Sequence, residues 1–264
     1  ISSVETSPRG FYFKKDGSEV FIIGQSSDSV HRFEMSEPFS INKSIFVSSF
    51  SILSQTAASR GLTFSSDGSL MFVVGGTYIY KYVLSTNWDI TTAIYNSSFN
   101  LSLDPTAAWF NSSGTRLFVS TTTSGSFIKE YSLASPWDIS TLTLLKTLDV
   151  SSYQTTITGF HFDSSGSELL VCGEAEDRIV KYYLNIPYDI STSEYSIHIA
   201  ISEDTAIHDV YLTPTKDKLF LIGAANDKIY EYSLDSLNFK QDKIIKNSIN
   251  KVKEFYNSYI TSSK

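Results

Sequence analysis

Hydrophobic and polar residues alternate in short bursts along most of the 264-residue chain, and each burst stops at a turn signal. In GLTFSSDGSLMFVVGG, residues 61 to 76, apolar side chains fall on every second position on both sides of Asp-Gly. That pattern predicts a strand, a short turn using the positive φ of Gly, and a second strand. The phrase recurs. GFYFKKDG (10 to 17), GLTFSSDG (61 to 68), AAWFNSSG (107 to 114), GFHFDSSG (159 to 166) and DVYLTPTK (209 to 216) start 51, 46, 52 and 50 residues apart. VFIIG, MFVVG, LFVS, LLVCG and LFLIG follow the turns. A third strand then carries Phe33, Tyr82, Tyr131, Tyr182 and Tyr232, and a fourth is expected after EPFSI, TNWDI, SPWDI and IPYDI. In the fifth copy that signal has decayed to SLNFK.

Four antiparallel strands per unit of about 50 residues, with no helices between units, are the signature of a propeller blade. The expected fold is all-β: a five-bladed β-propeller of four-stranded antiparallel blades over residues 1–239, with a C-terminal helix. An open solenoid of the same units would leave two ends needing caps. Only ISSV precedes Glu5. The ring therefore closes without a full fourth strand in blade five, or an upstream segment, a partner chain or the residues after Leu234 supply one. Over residues 240–264 the period changes from two to about three and a half. Ile245, Ile249, Val252, Tyr256 and Tyr259 fall on one stripe, with lysines on other faces. This predicts a basic amphipathic helix that docks on the propeller or binds a partner.

The unit exemplified by PRGFYFKKDGSEVFIIG (8 to 24), SRGLTFSSDGSLMFVVG (59 to 75) and SPWDIS (135 to 140) resembles the propeller repeat of bacteriophage virion proteins and bacterial surface proteins. That repeat belongs to the lactonase-like and surface-layer propeller group. The resemblance covers residues 4 to about 239. It implies a non-enzymatic binding and assembly module, a virion structural or host-adhesion protein at an extracellular or virion surface. Its partners would be other structural subunits, engaged through the C-terminal helix, and a host glycan or anionic surface ligand. Trp88-Asp89 and Trp137-Asp138 are similar to the dipeptide of WD repeats, but the Gly-His element is missing. Ser66-Asp67-Gly68-Ser69 resembles an Asp-box without its closing Trp.

Net charge of −7 and a pI near 5.1 argue against nucleic acid as the main partner. Six lysines against Asp242 and Glu254 make residues 240–264 locally basic. One cysteine, Cys172 in the strand pattern ELLVCG, excludes an internal disulfide framework and reads as a buried thiol. No stretch approaches the length of apolar sequence that a membrane-spanning helix needs.

Candidate chemistry concentrates at the start of the innermost strands. One column reads Arg9, Arg60, Thr106, Thr158 and His208 through the five blades. In a closed ring, blades five, one and two are neighbours, so His208, Arg9 and Arg60 would share one rim. Three cations there could hold a carboxylate, sulfate or phosphate; alternatively they pair with Glu5, Asp204 and Asp209 nearby. His31 and His198 fall in alternating strands, where an exposed or half-buried polar residue is expected. His161 shares a column with Tyr12, Thr63, Trp109 and Tyr211 and reads as inter-blade packing. Asp89, Asp138 and Asp189 repeat in a turn and read as Asx-turn residues. Asp28, Asp177 and Asp227 sit between second and third strands, where single acids seldom gather calcium's six or more oxygens. Trp88, Trp109 and Trp137 could stack on sugars, but their repeat positions mark packing first.

No phosphate loop, nucleophile elbow, zincin helix or dinucleotide fingerprint is present, and no catalytic residues, metal site or cofactor are expected. A lectin, a glycoside hydrolase or lactonase, and a cytoplasmic scaffold are the rival readings. Unpaired carboxylates converging in the channel would favour the hydrolase, and a channel plugged by Phe, Tyr and Trp would count against it.

Overall fold

The computed structural model describes residues 3–234. Blade one is β1 (Pro8–Phe13), β2 (Glu19–Gly24), β3 (Ser29–Met35) and β4 (Ser44–Ser51). Blade two is β5 (Ser59–Phe64), β6 (Leu70–Gly75), β7 (Tyr78–Leu84) and β8 (Ala93–Asn100). Blade three is β9 (Pro105–Phe110), β10 (Arg116–Thr121), β11 (Phe127–Leu133) and β12 (Leu142–Asp149). Blade four is β13 (Ile157–Phe162), β14 (Glu168–Gly173), β15 (Arg178–Leu184) and β16 (Ser193–Ala200). Blade five holds β17 (Ile207–Leu212), β18 (Lys218–Gly223) and β19 (Lys228–Ser233), and each blade is an antiparallel sheet in sequence order. The fold is the expected five-bladed propeller. A fourth strand of blade five is not among the described residues, and the predicted helix over 240–264, with Ile245, Ile249, Val252, Tyr256 and Tyr259, lies outside them.

The first strand of each blade packs against the first strand of the next, and β1 packs against β17 and β18, so the ring is closed. Where blades meet, small residues let backbones approach. A Cβ on Gly61 would lie 2.9 Å from the Cα of Ala107, and one on Gly159 would lie 2.6 Å from the Cα of Asp209. Burial is organised by seam. Each of five hydrophobic clusters joins two adjacent blades, as where Phe72 and Val74 meet Phe110 and Leu117. At the closing seam Phe13 contacts Tyr211 and Phe220, with ring centroids 4.8 and 4.7 Å apart. Lys218 Nζ also donates to Phe39 O across that seam at 2.9 Å.

The turn residues act as expected, with one addition. Gly68 adopts φ +74° and lies under the indole of Trp88, close enough that a Cβ would fall 2.2 Å from the ring. Phe39, Trp137 and Tyr188 cover Gly17, Gly114 and Gly166 in the same way. Asp89, Asp138 and Asp189 then cap one-turn 3-10 helices, accepting the amides of Thr91, Ser140 and Ser191 at 3.0 Å. Asp28, Asp177 and Asp227 are left-handed hairpin residues.

Each of the four described fourth strands carries one extra, unpaired residue: Val47 in β4, Asn96 in β8, Leu145 in β12 and Ser196 in β16. Such bulges bend an edge strand and hinder edge-to-edge pairing. His198 is exposed on β16, as expected. His31 is instead buried, at 4% exposure, with Nε2 2.8 Å from Ser27 Oγ and 3.8 Å from Glu5 Oε2. The preceding connection tucks Glu5 into blade one, and that carboxylate supplies a polar partner which strand alternation alone does not reveal.

Candidate functional site

All five inner strands begin at the same end of the ring, and the second residue of each is Arg9, Arg60, Thr106, Thr158 or His208. Every one of them is the extra residue of a β-bulge. Pairing skips from Pro8–Gly24 to Gly10–Ile23 in blade one, and likewise past Arg60, Thr106, Thr158 and His208. A bulge takes one side chain out of the strand's alternation and re-aims it. Here all five line a single cavity of about 90 Å³. The column expected from sequence is thus brought together. Since liquid water occupies about 30 Å³ per molecule, the space suits a group of a few heavy atoms.

Arg9 and His208 touch across the closing seam, Nη1 to Nε2, at 2.9 Å. Glu174 Oε1, on the loop after β14, is 3.3 Å from Arg9 Nη1 and 3.0 Å from His208 Nε2. Arg60 Nη2 lies 3.2 Å from Asp104 Oδ2. The guanidiniums therefore have carboxylate partners, but Glu174 and Asp104 rather than the expected acids. Glu5 binds Ser7, Ser26 and Ser27, Asp204 accepts the amides of Ala206 and Ala225, and Asp209 accepts those of Phe11 and Val210. Glu174 was hidden from sequence reasoning because it stands on blade four, beside His208's blade but two blades from Arg9. The detectable signal is its position directly after the closing glycine of a second strand, which returns the chain to this end of the ring.

Electrostatics corrects one further expectation. Burial, reinforced by the Arg9 charge, presses the His208 pKa down to about 3, so the ring is neutral at physiological pH. The mouth therefore holds two cations and a neutral imidazole. Nε2 faces both a donor, Arg9 Nη1 at 2.9 Å, and an acceptor, Glu174 Oε1 at 3.0 Å, and so joins the two into one contact triad. Burial also lowers the Arg9 pKa, opposed by Glu174, and the nearby Arg60 charge adds to the lowering. The Nε–H groups of Arg9 and Arg60 are buried without a hydrogen-bond partner among the described residues. Thr158 Oγ1 donates to Ile207 O at 2.7 Å, and Thr106 Oγ1 is 2.7 Å from Ser120 Oγ.

Chemically, the mouth can bind and orient an anionic group. A reactive thiol is not offered: Cys172 is fully buried, and burial raises its pKa well above the ordinary range. Both carboxylates at the rim are engaged with cations. Among the described residues, no three His, Cys, Asp or Glu side chains are grouped to hold a metal ion. Below the mouth, the middles of the inner strands enclose only about 30 Å³. Tyr12, Trp109, Tyr211 and His161 line that neck, the last with its ring centroid 4.6 Å from that of Tyr211, as its packing assignment predicted.

No family model matches the sequence. No curated protein matches it either. Among solved structures, the fold is similar to that of a functionally unknown protein from Desulfotomaculum acetoxidans (TM-score 0.53, 11% identity, covering 86% of this chain and 83% of that one). It is also similar to a protein from Lactobacillus plantarum (TM-score 0.52, 13% identity, 86% and 67% covered). A candidate 6-phosphogluconolactonase from Bacteroides uniformis aligns with TM-score 0.49 and 16% identity over 83% of this chain and 64% of its own. Identities this low establish a shared fold alone, and the third similarity is too weak to carry an argument about activity.

Proposed function

We propose that this propeller is a non-enzymatic binding module whose polar mouth receives the anionic group of a ligand. The observation that carries this reading is the convergence of Arg9 and Arg60, through bulges in neighbouring inner strands, on one small cavity. A carboxylate or phosphate entering it would meet two guanidinium groups with buried, unspent N–H donors, displacing Glu174 and Asp104 toward solvent. The engaged rim acids weigh against the hydrolase reading, and Asp209, the carboxyl that lines the neck, is held by the amides of Phe11 and Val210. The repeat's resemblance to virion and surface propellers supports a role in assembly or host adhesion, with an anionic surface ligand as the recognised group.

Titration calorimetry with gluconate, glucuronate, phosphate and sulfate tests this. Saturable binding of at least one, weakened tenfold or more in Arg9→Met and Arg60→Met and falling with salt, is expected. Turnover of aldonolactones or aryl glycosides that is lost in those variants would overturn the non-enzymatic assignment.

A further inference from the structure

The opposite mouth of the channel has a different chemistry. There, at the C-terminal ends of the inner strands, lies an open cavity of about 200 Å³. Its walls are aromatic. Tyr12 stacks on Trp88 with ring centroids 6.1 Å apart, and Trp109 on Tyr188 at 5.5 Å, so each pair spans a blade seam and turns remaining ring surface inward. His161 lies among them, held neutral by burial, which lowers its pKa to about 4. The rim comes from the hairpin turns between first and second strands, where Ser66, Ser112 and Ser164 are exposed.

We propose that this bowl binds one neutral pyranose ring of a glycan, independently of the polar mouth. Size comes first. An apolar cavity of about 150 Å³ accepts benzene, so about 200 Å³ takes a six-membered ring with substituents. Chemistry then separates the candidates. A pyranose presents a C–H face that gains by leaving water against flat aromatic surface, and equatorial hydroxyls that need polar partners. Aromatic walls with serine hydroxyls at the rim match both requirements. A cationic ligand fits poorly, because the lining includes Lys15 and no carboxylate. A purely apolar ring would leave the serine rim unused.

The test uses the full chain and three probes, the methyl glycosides of glucose, galactose and N-acetylglucosamine. Saturation-transfer NMR reads ring contact, and tryptophan fluorescence reads saturation. Trp109→Ala risks misfolding, so the principal variant is Ser112→Trp, which fills the bowl from an exposed turn. Saturable millimolar binding of at least one glycoside, lost tenfold or more in Ser112→Trp and unchanged in Arg9→Met, is the expected result. No saturable response from any of the three, or a response that survives Ser112→Trp, overturns the proposal. So does binding of indole by the bowl without binding of a glycoside. None of these outcomes alters the reading of the polar mouth, which the anion titrations decide separately.

Discussion

Asp209 Oδ2 accepts the backbone amide of Phe11 at 3.2 Å, across the seam where blade five meets blade one. In the other blades the same column holds Gly10, Gly61, Ala107 and Gly159, and close backbone approach does the joining. At the closing seam a side chain bridges the gap. Its carboxyl also accepts the Val210 amide at 2.9 Å, and Asp209 is 8% exposed.

Burial raises the Asp209 pKa to about 8, although its two amide donors pull the other way. A carboxyl whose folded pKa exceeds its unfolded value favours the fold fully below the unfolded pKa near 3.8, and that contribution is lost as pH rises through about 8. Stability of the wild type relative to Asp209→Asn should therefore fall between pH 4 and 8, by up to about 1.4 kcal/mol per pH unit. Urea unfolding of both proteins across that range measures it. A difference independent of pH would mean the folded protein ionises this carboxyl normally.

Glu5 carries the opposite sign. Burial works against its charge, but hydrogen bonds from His31, Ser26, Ser27 and Ser7 outweigh that and hold its pKa far below the usual carboxylate range. Its contribution is present above pH 4.5 and is lost as pH falls through the folded value. Glu5→Gln leaves several of these donors unpaired in a buried pocket and should cost about 2 to 4 kcal/mol at pH 7. The deficit should shrink in acid. Equal stability of the two proteins at pH 7 would contradict this account of the first connection.

Phe13 tests closure itself. It is 1% exposed and packs on Tyr211 and Phe220 from the far end of the sequence. Phe13→Ala should cost about 3 to 5 kcal/mol in a closed ring. A loss below about 1 kcal/mol would show that blades five and one separate in solution.

The blades were legible because their signals are local. Gly68 needs positive φ, Trp88 covers it and Asp89 caps the next turn, all within one repeat. The rim column was legible for the same reason: Arg9, Arg60 and His208 hold one position in successive copies. Their partners were not, since Glu174 is 165 positions from Arg9 and meets it only after the ring closes. The bulges also escaped notice, because each falls at the second residue of its inner strand, where only one residue precedes the shift in alternation. The charge of His208 depends on burial by other blades. In the tail, two periods overlap. KIIKNSIN (243 to 250) places Ile244, Ile245 and Ile249 at the spacing of Ile94, Tyr95 and Phe99 in β8, while Ile245 and Ile249 also belong to the helical stripe.

The Arg9–His208 contact yields the most direct test of the mouth's electrostatics. Arg9 lowers the His208 pKa through its charge and also engages Glu174, whose Oε1 lies 3.0 Å from the imidazole. In Arg9→Met the repulsive cation is gone and Glu174 loses its guanidinium partner. A protonated His208 would then donate to that carboxylate. The His208 pKa should rise above about 3 toward the ordinary 6.5, stopping short of it because burial, the larger cause of the depression, remains. Imidazole NMR shifts followed from pH 4 to 8 report this: the wild-type His208 should stay neutral throughout, and the variant should begin to titrate within the range. An Arg9→Met protein with an unmoved His208 would show that burial alone sets the ring's charge. A wild-type His208 that titrates near 6.5 would make the mouth a three-cation site, with anion affinity that strengthens in acid.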